Sequence, residues 1–273
     1  MRKTPRHWFC RIALVAAVSL AGCQTVQTTR GGEVGVNRSQ SMMLSASEVD
    51  TAAKEQYSQI IAEAQKKGAL NQDPAMTQRV RRIAQRLIPQ TAVFRDDAPK
   101  WQWEVNVLAS KEVNAWCMPG GKIAVYTGLI EQLKITDDEL AAVMGHEIAH
   151  ALREHARESM SRQAITGVGL SVIEILTGVS MGDTGQLLAQ SMFVLPNSRQ
   201  NEQEADRIGV ELAARAGYDP RAAVSLWTKM SNFGGSQPPQ WLSTHPSHES
   251  RVKDVHEYSQ RVMPLYERAK AAS

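Results

Sequence analysis

"LAAVMGHEIAHALREH", Leu140 to His155, gathers three histidines and two glutamates on one short run with helical spacing. Thr136 and Glu139, just upstream, have the spacing of a capping box, so a helix is expected to start there and run through the histidines. On such a helix His146 and His150, four residues apart, sit about 40° and about 6 Å from each other. Both imidazoles then reach one ion at about 2.0–2.1 Å, the usual zinc–nitrogen distance. Glu147 lies between them and is placed to accept a proton from water on the open side of that ion. With 7 histidines and 18 glutamates in 273 residues, chance supplies H-E-x-x-H about 0.01 times per chain. Val143, Met144, Ile148, Ala149 and Leu152 surround the histidines, which fits a solvated polar face poorly. His155, nine residues beyond His146, falls about 180° away on a continuous helix and is expected as a surface or second-layer side chain outside the ion's reach.

Two histidines need a third ligand. The best source is "NSRQNEQEADRIGVELAARAGYDP", Asn197 to Pro220, a helix expected to end at Gly217. Its apolar stripe runs through Ala205, Ile208, Gly209, Leu212, Ala213 and Ala216. Glu202 falls within about 45° of the stripe's centre and Glu204 about 120° away. A carboxylate on a buried stripe is costly unless it is paired or binds a metal. Glu202 is therefore the candidate ligand. Asp206, one turn on, is placed to orient a ligand imidazole through its free N–H, and Glu204 is expected to be solvated.

The chain's start has another character. The formal charge of +3 misleads, because Arg2, Lys3, Arg6 and Arg11 lie in residues 1–22, which hold no acid. The remainder carries 27 basic against 28 acidic residues, which gives no electrostatic reason to expect nucleic-acid binding. "MRKTPRHWFCR" followed by "IALVAAVSLA" reads as a secretory signal over 1–22, its apolar run being too short for a membrane span. It ends in "LAGC", Leu20 to Cys23, which resembles a bacterial lipobox with lipidation of Cys23. Several acyl chains on one residue would anchor stably. Gln24 after the cysteine, rather than Asp, favours the outer membrane's periplasmic face. With Cys10 in the signal and Cys23 lipidated, Cys117 has no partner and is expected as a buried, inert thiol.

Residues 23–44, polar and Gly-containing, are expected as a lipidated tether before a single domain over 45–273. Ser45 with Glu48 opens a helix that ends near Gly68, and Asp73-Pro74 opens another that stops before Pro89. "WQWEVNVLAS" alternates as a half-buried strand with Trp101, Trp103, Val105 and Val107 on one face. "VNAWCMPGGKIAVYTG" reads as two strands joined by a Pro-Gly-Gly turn, and almost everything after 129 is helical. The fold class is α+β, mostly helical, with a small antiparallel sheet before the zinc helix. The apolar, glycine-rich stretch over 164–196 contains Glu174 and many small polar residues, so it is expected to pack beside the cleft rather than span a membrane.

Taken together, HEIAH, the E-x-x-A-D of Glu202 to Asp206, "NAWCMPGGKIAVYTGLI", "AGYDPRAAVSLWTKM" and "STHPSHESR" resemble peptidase family M48 from about residue 40 to 255. The family includes CaaX prenyl endopeptidases, HtpX-like proteases and periplasmic lipoproteins of outer-membrane quality control. The resemblance implies a gluzincin-type zincin fold and one zinc ion held by His146, His150 and Glu202. It implies that His245 occupies the ion's fourth position or swings aside to stabilise an oxyanion, with Arg251 supporting that region. From the residues alone His245 is only a loop histidine; His248 and His256 are expected to be uninvolved.

The expected reaction is zinc-dependent peptide-bond hydrolysis in envelope proteins, with Glu147 as base and the strand Asn114–Met118 pairing with an extended peptide. Outer-membrane assembly proteins are expected partners. Two rivals stay open: a latent chaperone-like or scaffolding lipoprotein whose zinc is blocked by His245, and a zinc hydrolase of peptidoglycan or small amides.

Overall fold

The computed structural model describes residues 24–165, 181–233, 240–246 and 249–272; the signal segment 1–22 and Cys23 lie outside them. The first strands, β1 (Gln24–Val26) and β2 (Gln40–Met42), pair antiparallel. Helix α1 (Ala46–Lys66) starts on a full capping box, Ser45 accepting from the Glu48 N–H and Glu48 accepting from the Ser45 N–H. Helix α2 (Pro74–Leu87) starts on the Asp73 carboxylate with proline at its first position, and the chain tightens into a 3-10 turn at Ile88-Pro89.

Next come β3 (Glu104–Leu108), β4 (Ala115–Met118) and β5 (Lys122–Tyr126). The hairpin β4–β5 turns through Gly120 and Gly121 at φ 76° and 84°, the left-handed region that glycine adopts without cost. A Cβ on Gly121 would lie 2.7 Å from the Trp103 ring, so that turn also seats the indole. The hairpin is antiparallel, as expected. The third strand departs from the expectation: β3 pairs parallel with β5, the order is β3-β5-β4, and the sheet is mixed. Residues 109–114 carry the chain past one strand position, and β5 returns to fill it. Strand β4 is left as an edge of the described sheet.

Both faces of this sheet are covered. Val107, Ala115, Cys117, Ile123 and Val125 belong to the larger core with Val80, Leu140 and Leu212, while Leu108, Trp116, Met118 and Ala124 pack with Tyr57, Met160 and Leu188. Each fully buried Val, Leu, Ile or Met among these contributes about 1.5–3 kcal/mol. After the sheet follow α3 (Thr127–Leu133), α4 (Asp137–Leu152), α5 (His155–Ile165), α6 (Met181–Phe193) and α7 (Arg199–Arg215). The chain ends in α8 (Ala222–Asn232), α9 (Gln240–Thr244), α10 (Glu249–Arg261) and α11 (Met263–Ala271). Of the 164–196 stretch, residues 166–180 lie outside the described residues; α6 packs on α1. No described helix is long and apolar enough to cross a membrane.

Helices α4 and α7 cross in close contact. A Cβ on Gly145 would lie 2.8 Å from the Gly209 carbonyl oxygen, and one on Gly209 would lie 2.8 Å from the His146 nitrogen. Two glycines thus let the backbones touch, and side chains of one helix reach ligand distance of the other.

The tether expectation for 24–44 needs correction. Val34, Val36, Met42 and Leu44 are buried, and the segment is strapped across the body. Its polar composition misleads because its polar groups are paired inside: the Val34 N–H donates to Glu211, the Gln40 amide to the Arg153 carbonyl, and the Arg30 N–H to the Phe94 carbonyl. Residues that would solvate a tether instead satisfy buried partners.

Candidate metal centre

Helix α4 begins on the Thr136–Glu139 capping box and runs unbroken to Leu152, so His146 and His150 project one turn apart into the α4–α7 crossing. Their Nε2 atoms are 3.0 Å from each other. Glu202, in the first turn of α7 behind the Ser198 cap, points between them, with Oε2 3.6 Å from His146 and Oε1 3.3 Å from His150. His245, at the end of α9, completes a group of four whose ligand atoms all lie within 4.8 Å of one another.

The residues fit a metal ion. Glu202 is buried, and no hydrogen bond reaches its Oε1. Its Oε2 pairs with the Arg251 guanidinium 2.6 Å away, which leaves Oε1 to face the His150 imidazole. A buried acceptor without a donor is costly, and a cation resolves it. Burial pushes His146 and His150 well below the ordinary imidazole range, and burial holds His245 at about 3, so all three are neutral with nitrogen lone pairs available. Two imidazoles and a carboxylate with a fourth position are the donor set of catalytic zinc sites.

Around this group the sequence-derived candidates come together. Asp206 Oδ1 lies 3.0 Å from His146 Nδ1, the geometry that fixes which nitrogen faces inward. Arg251, fully buried on α10, forks onto both Asp206 oxygens at 2.8 and 2.9 Å and donates to the Pro246 carbonyl beside His245. It also covers the Trp227 ring at 4.1 Å. One side chain ties the first turn of α7 to the segment bearing His245. Glu147 is buried next to the group; burial pushes its carboxyl well up, against the opposing hydrogen bond of Trp241. His256 is exposed, and His248 lies outside the described residues.

Three features escape sequence reasoning. The Trp241 indole N–H donates to Glu147 Oε1 at 2.8 Å, and its ring stacks on His245 at 4.8 Å. Trp241 lies four residues before His245, and only the helical turn of α9 aligns the two, so no motif marks it. His155 and Glu204 are the second and third features. The helix does not continue through His155: it stops at Leu152, the chain reverses at Glu154 with φ 51°, and α5 starts at His155. His155 thereby returns to His150, Nδ1 to Nδ1 at 2.9 Å, and its Nε2 lies 3.2 Å from Glu204. Burial lowers His155 to about 4 and keeps it neutral. Glu204 is not solvated. Helix α7 is buried from Asn201 to Ala214 except Gln203 and Arg207, so the face opposite its apolar stripe meets protein rather than water.

The group opens on a cleft of about 200 Å³ walled by Asn114 to Cys117 of the β4 edge and by Ser191 to Phe193 of α6, with Glu147, His150 and His245 at its base. Cys117 is buried, and burial pushes its thiol well up.

The chain is similar in sequence to several proteins named as metalloendopeptidases or proteases. Mitochondrial metalloendopeptidase OMA1 of Arabidopsis thaliana is 40% identical over 152 residues, covering 55% of this chain and 30% of its own. OMA1 of Saccharomyces cerevisiae is 30% identical over 180 residues, covering 63% and 51%. The beta-barrel assembly-enhancing protease of Escherichia coli K12 is 30% identical over 204 residues, covering 71% and 41%. The chain thus spans about half or less of each relative's length. The profile of peptidase family M48 matches residues 74–259, a stretch that holds all four members of the candidate group, and the chain belongs to that family.

Proposed function

We propose that this chain is a zinc-dependent endopeptidase acting on proteins of the bacterial envelope. The observation that carries the reading is the convergence of His146, His150 and an undonated Glu202 oxygen beside Glu147, at the base of a cleft with a strand edge as its wall. That edge, β4, offers backbone groups to an extended peptide in the manner of strand addition. Protein quality control at the outer membrane, with assembly partners there, is supported by the E. coli relative's name, and a lipid anchor on Cys23 by the lipobox-like end of the signal.

Zinc held by His146, His150 and Glu202 would supply Lewis acidity toward the scissile carbonyl and toward water. Glu147 takes the proton of the attacking water and returns it to the leaving amine. Its upward shift suits it to hold that proton between the two steps. The indole of Trp241 keeps one Glu147 oxygen engaged, which leaves the other to face the cleft. His245 would serve as a further ligand of the ion at rest or, turned aside, would donate to the developing oxyanion. Arg251 holds Pro246 and Asp206 together, so its position limits how far His245 travels.

Glu147→Gln should retain one zinc per chain and lose casein cleavage; full cleavage by the purified variant would reject the mechanism. The same variant, expressed in cells, should retain uncut substrate for identification. The position of His245 within the ligand group favours a second reading, a latent site. If the wild type is latent, His245→Ala gains activity; inactivity of both forms with zinc bound would favour a scaffold. Cys23→Ser should move the protein from the membrane to the soluble fraction.

A further inference from the structure

We propose that Glu204 and His155 form a second orienting arm for the ligand His150, anchored by Arg38, so that the N-terminal strap is part of the metal centre. The inference rests on reading His150 as a metal ligand. His146 has its arm in Asp206 and Arg251. Among the described residues, the Nδ1 of His150, turned away from the ligand group, has only His155 Nδ1 before it, at 2.9 Å, and His155 Nε2 faces Glu204 Oε2 at 3.2 Å.

For two neutral histidines, these contacts allow one proton arrangement. A carboxylate accepts and cannot donate, so His155 carries its proton on Nε2 and gives it to Glu204. The Nδ1 of His155 is then a bare lone pair, which requires the proton of His150 to sit on Nδ1. That leaves His150 Nε2 unprotonated and pointed at Glu202 and His146. The relay thus selects the tautomer that binds metal, over a distance of two side chains.

Glu204 keeps its charge because it is paired from both sides. Arg153 Nε donates to Oε2 at 2.9 Å, and Arg38 Nε to Oε1 at 2.5 Å. Arg38 also forks onto Glu158 at 2.6 and 3.0 Å, and its carbonyl accepts from Arg153 at 2.9 Å. Gln40 of β2 holds Glu158 and the Arg153 carbonyl in turn. His155, Arg153, Glu158 and Glu204 are buried, and Arg38 arrives from a segment over 160 residues away from Glu204 in sequence. Removing the strap would leave two buried carboxylates short of a partner.

The test measures zinc affinity by chelator competition, and the cobalt(II) absorption spectrum, on the full chain. His155→Phe and Glu204→Gln should each bind zinc 10- to 100-fold more weakly and shift the cobalt bands, and Arg38→Met should weaken binding in the same direction. His155→Gln, whose amide can both accept and donate, should recover part of the loss. Glu147→Gln should bind as the wild type does. Wild-type affinity and spectrum in folded Glu204→Gln and His155→Phe overturn the arm while leaving the metal site standing. A wild type that binds no zinc overturns the metal reading itself. If His155→Phe does not fold, Glu204→Gln, equal in size, decides.

Discussion

Trp241 and Glu147 are joined by an indole N–H to carboxylate hydrogen bond of 2.8 Å inside the core, across 94 residues of sequence. The candidate base is thus held by the element that carries His245, and the ring of Trp241 stacks on that same histidine. Trp241→Phe keeps an aromatic ring in the space and removes only the donor. A hydrogen bond to a charged group contributes about 1.5–3 kcal/mol, so kcat should fall roughly tenfold or more with zinc content unchanged. Loss of zinc along with activity would show that the indole supports the whole ligand group and not Glu147 alone.

Arg251 is fully buried among two carboxylates, a carbonyl and an indole face. Arg251→Met would leave Asp206 and Glu202 with no cation. Breaking a buried pair from one side costs about 3–5 kcal/mol, so thermal or denaturant unfolding should show a large loss. Zinc should restore part of it, because an ion bound only by the folded state stabilises that state and gives Glu202 a new positive partner. An unchanged unfolding midpoint in the metal-free variant would mean that the cluster contributes little to folding.

The candidate metal-binding run is legible because ligation would impose a fixed period: the convergence of His146, Glu147 and His150 follows from helical geometry alone, and the inward turn of Glu202 from the cost of a carboxylate on an apolar stripe. Capping boxes marked two helix starts for the same local reason. What stayed hidden depends on where the chain reverses. His155 does lie outside the ligand group, in a second layer, but its contact with His150 was hidden because Glu154 adopts a left-handed conformation without a glycine to announce it. Strand β3 alternates alike in a parallel or antiparallel pair, so its direction is set by the connection and not by its own residues. The strap over 24–44 looks solvated because composition reports polarity, not partners, and its partners lie over 60 to 177 residues away.

Gly145 and Gly209 set the distance between the helix of the histidines and the helix of Glu202. Gly209→Ala places a methyl group 2.8 Å from the His146 nitrogen, so the helices must separate. Overpacking of this kind costs about 1–3 kcal/mol, and the larger effect should fall on the metal, whose ligands then no longer converge. Zinc affinity should drop by more than tenfold while circular dichroism stays helical. Wild-type affinity in this variant would mean that the side chains absorb the shift.

The strap gives the sharpest contrast between a tether and a built element. Val36 is 4% exposed in the main core, and Met42 is 2% exposed. In a tether, Val36→Asp would be silent. In the packed strap it puts an unpaired charge into an apolar site, which should lower stability by several kcal/mol. Amide hydrogen exchange supplies an independent check. The Val34 N–H, bonded to the buried Glu211 carboxylate at 3.0 Å, should exchange on the timescale of core helices rather than of a free terminus. Fast exchange at Val34 together with a neutral Val36→Asp would return the segment to a tether and detach Arg38 from the metal centre.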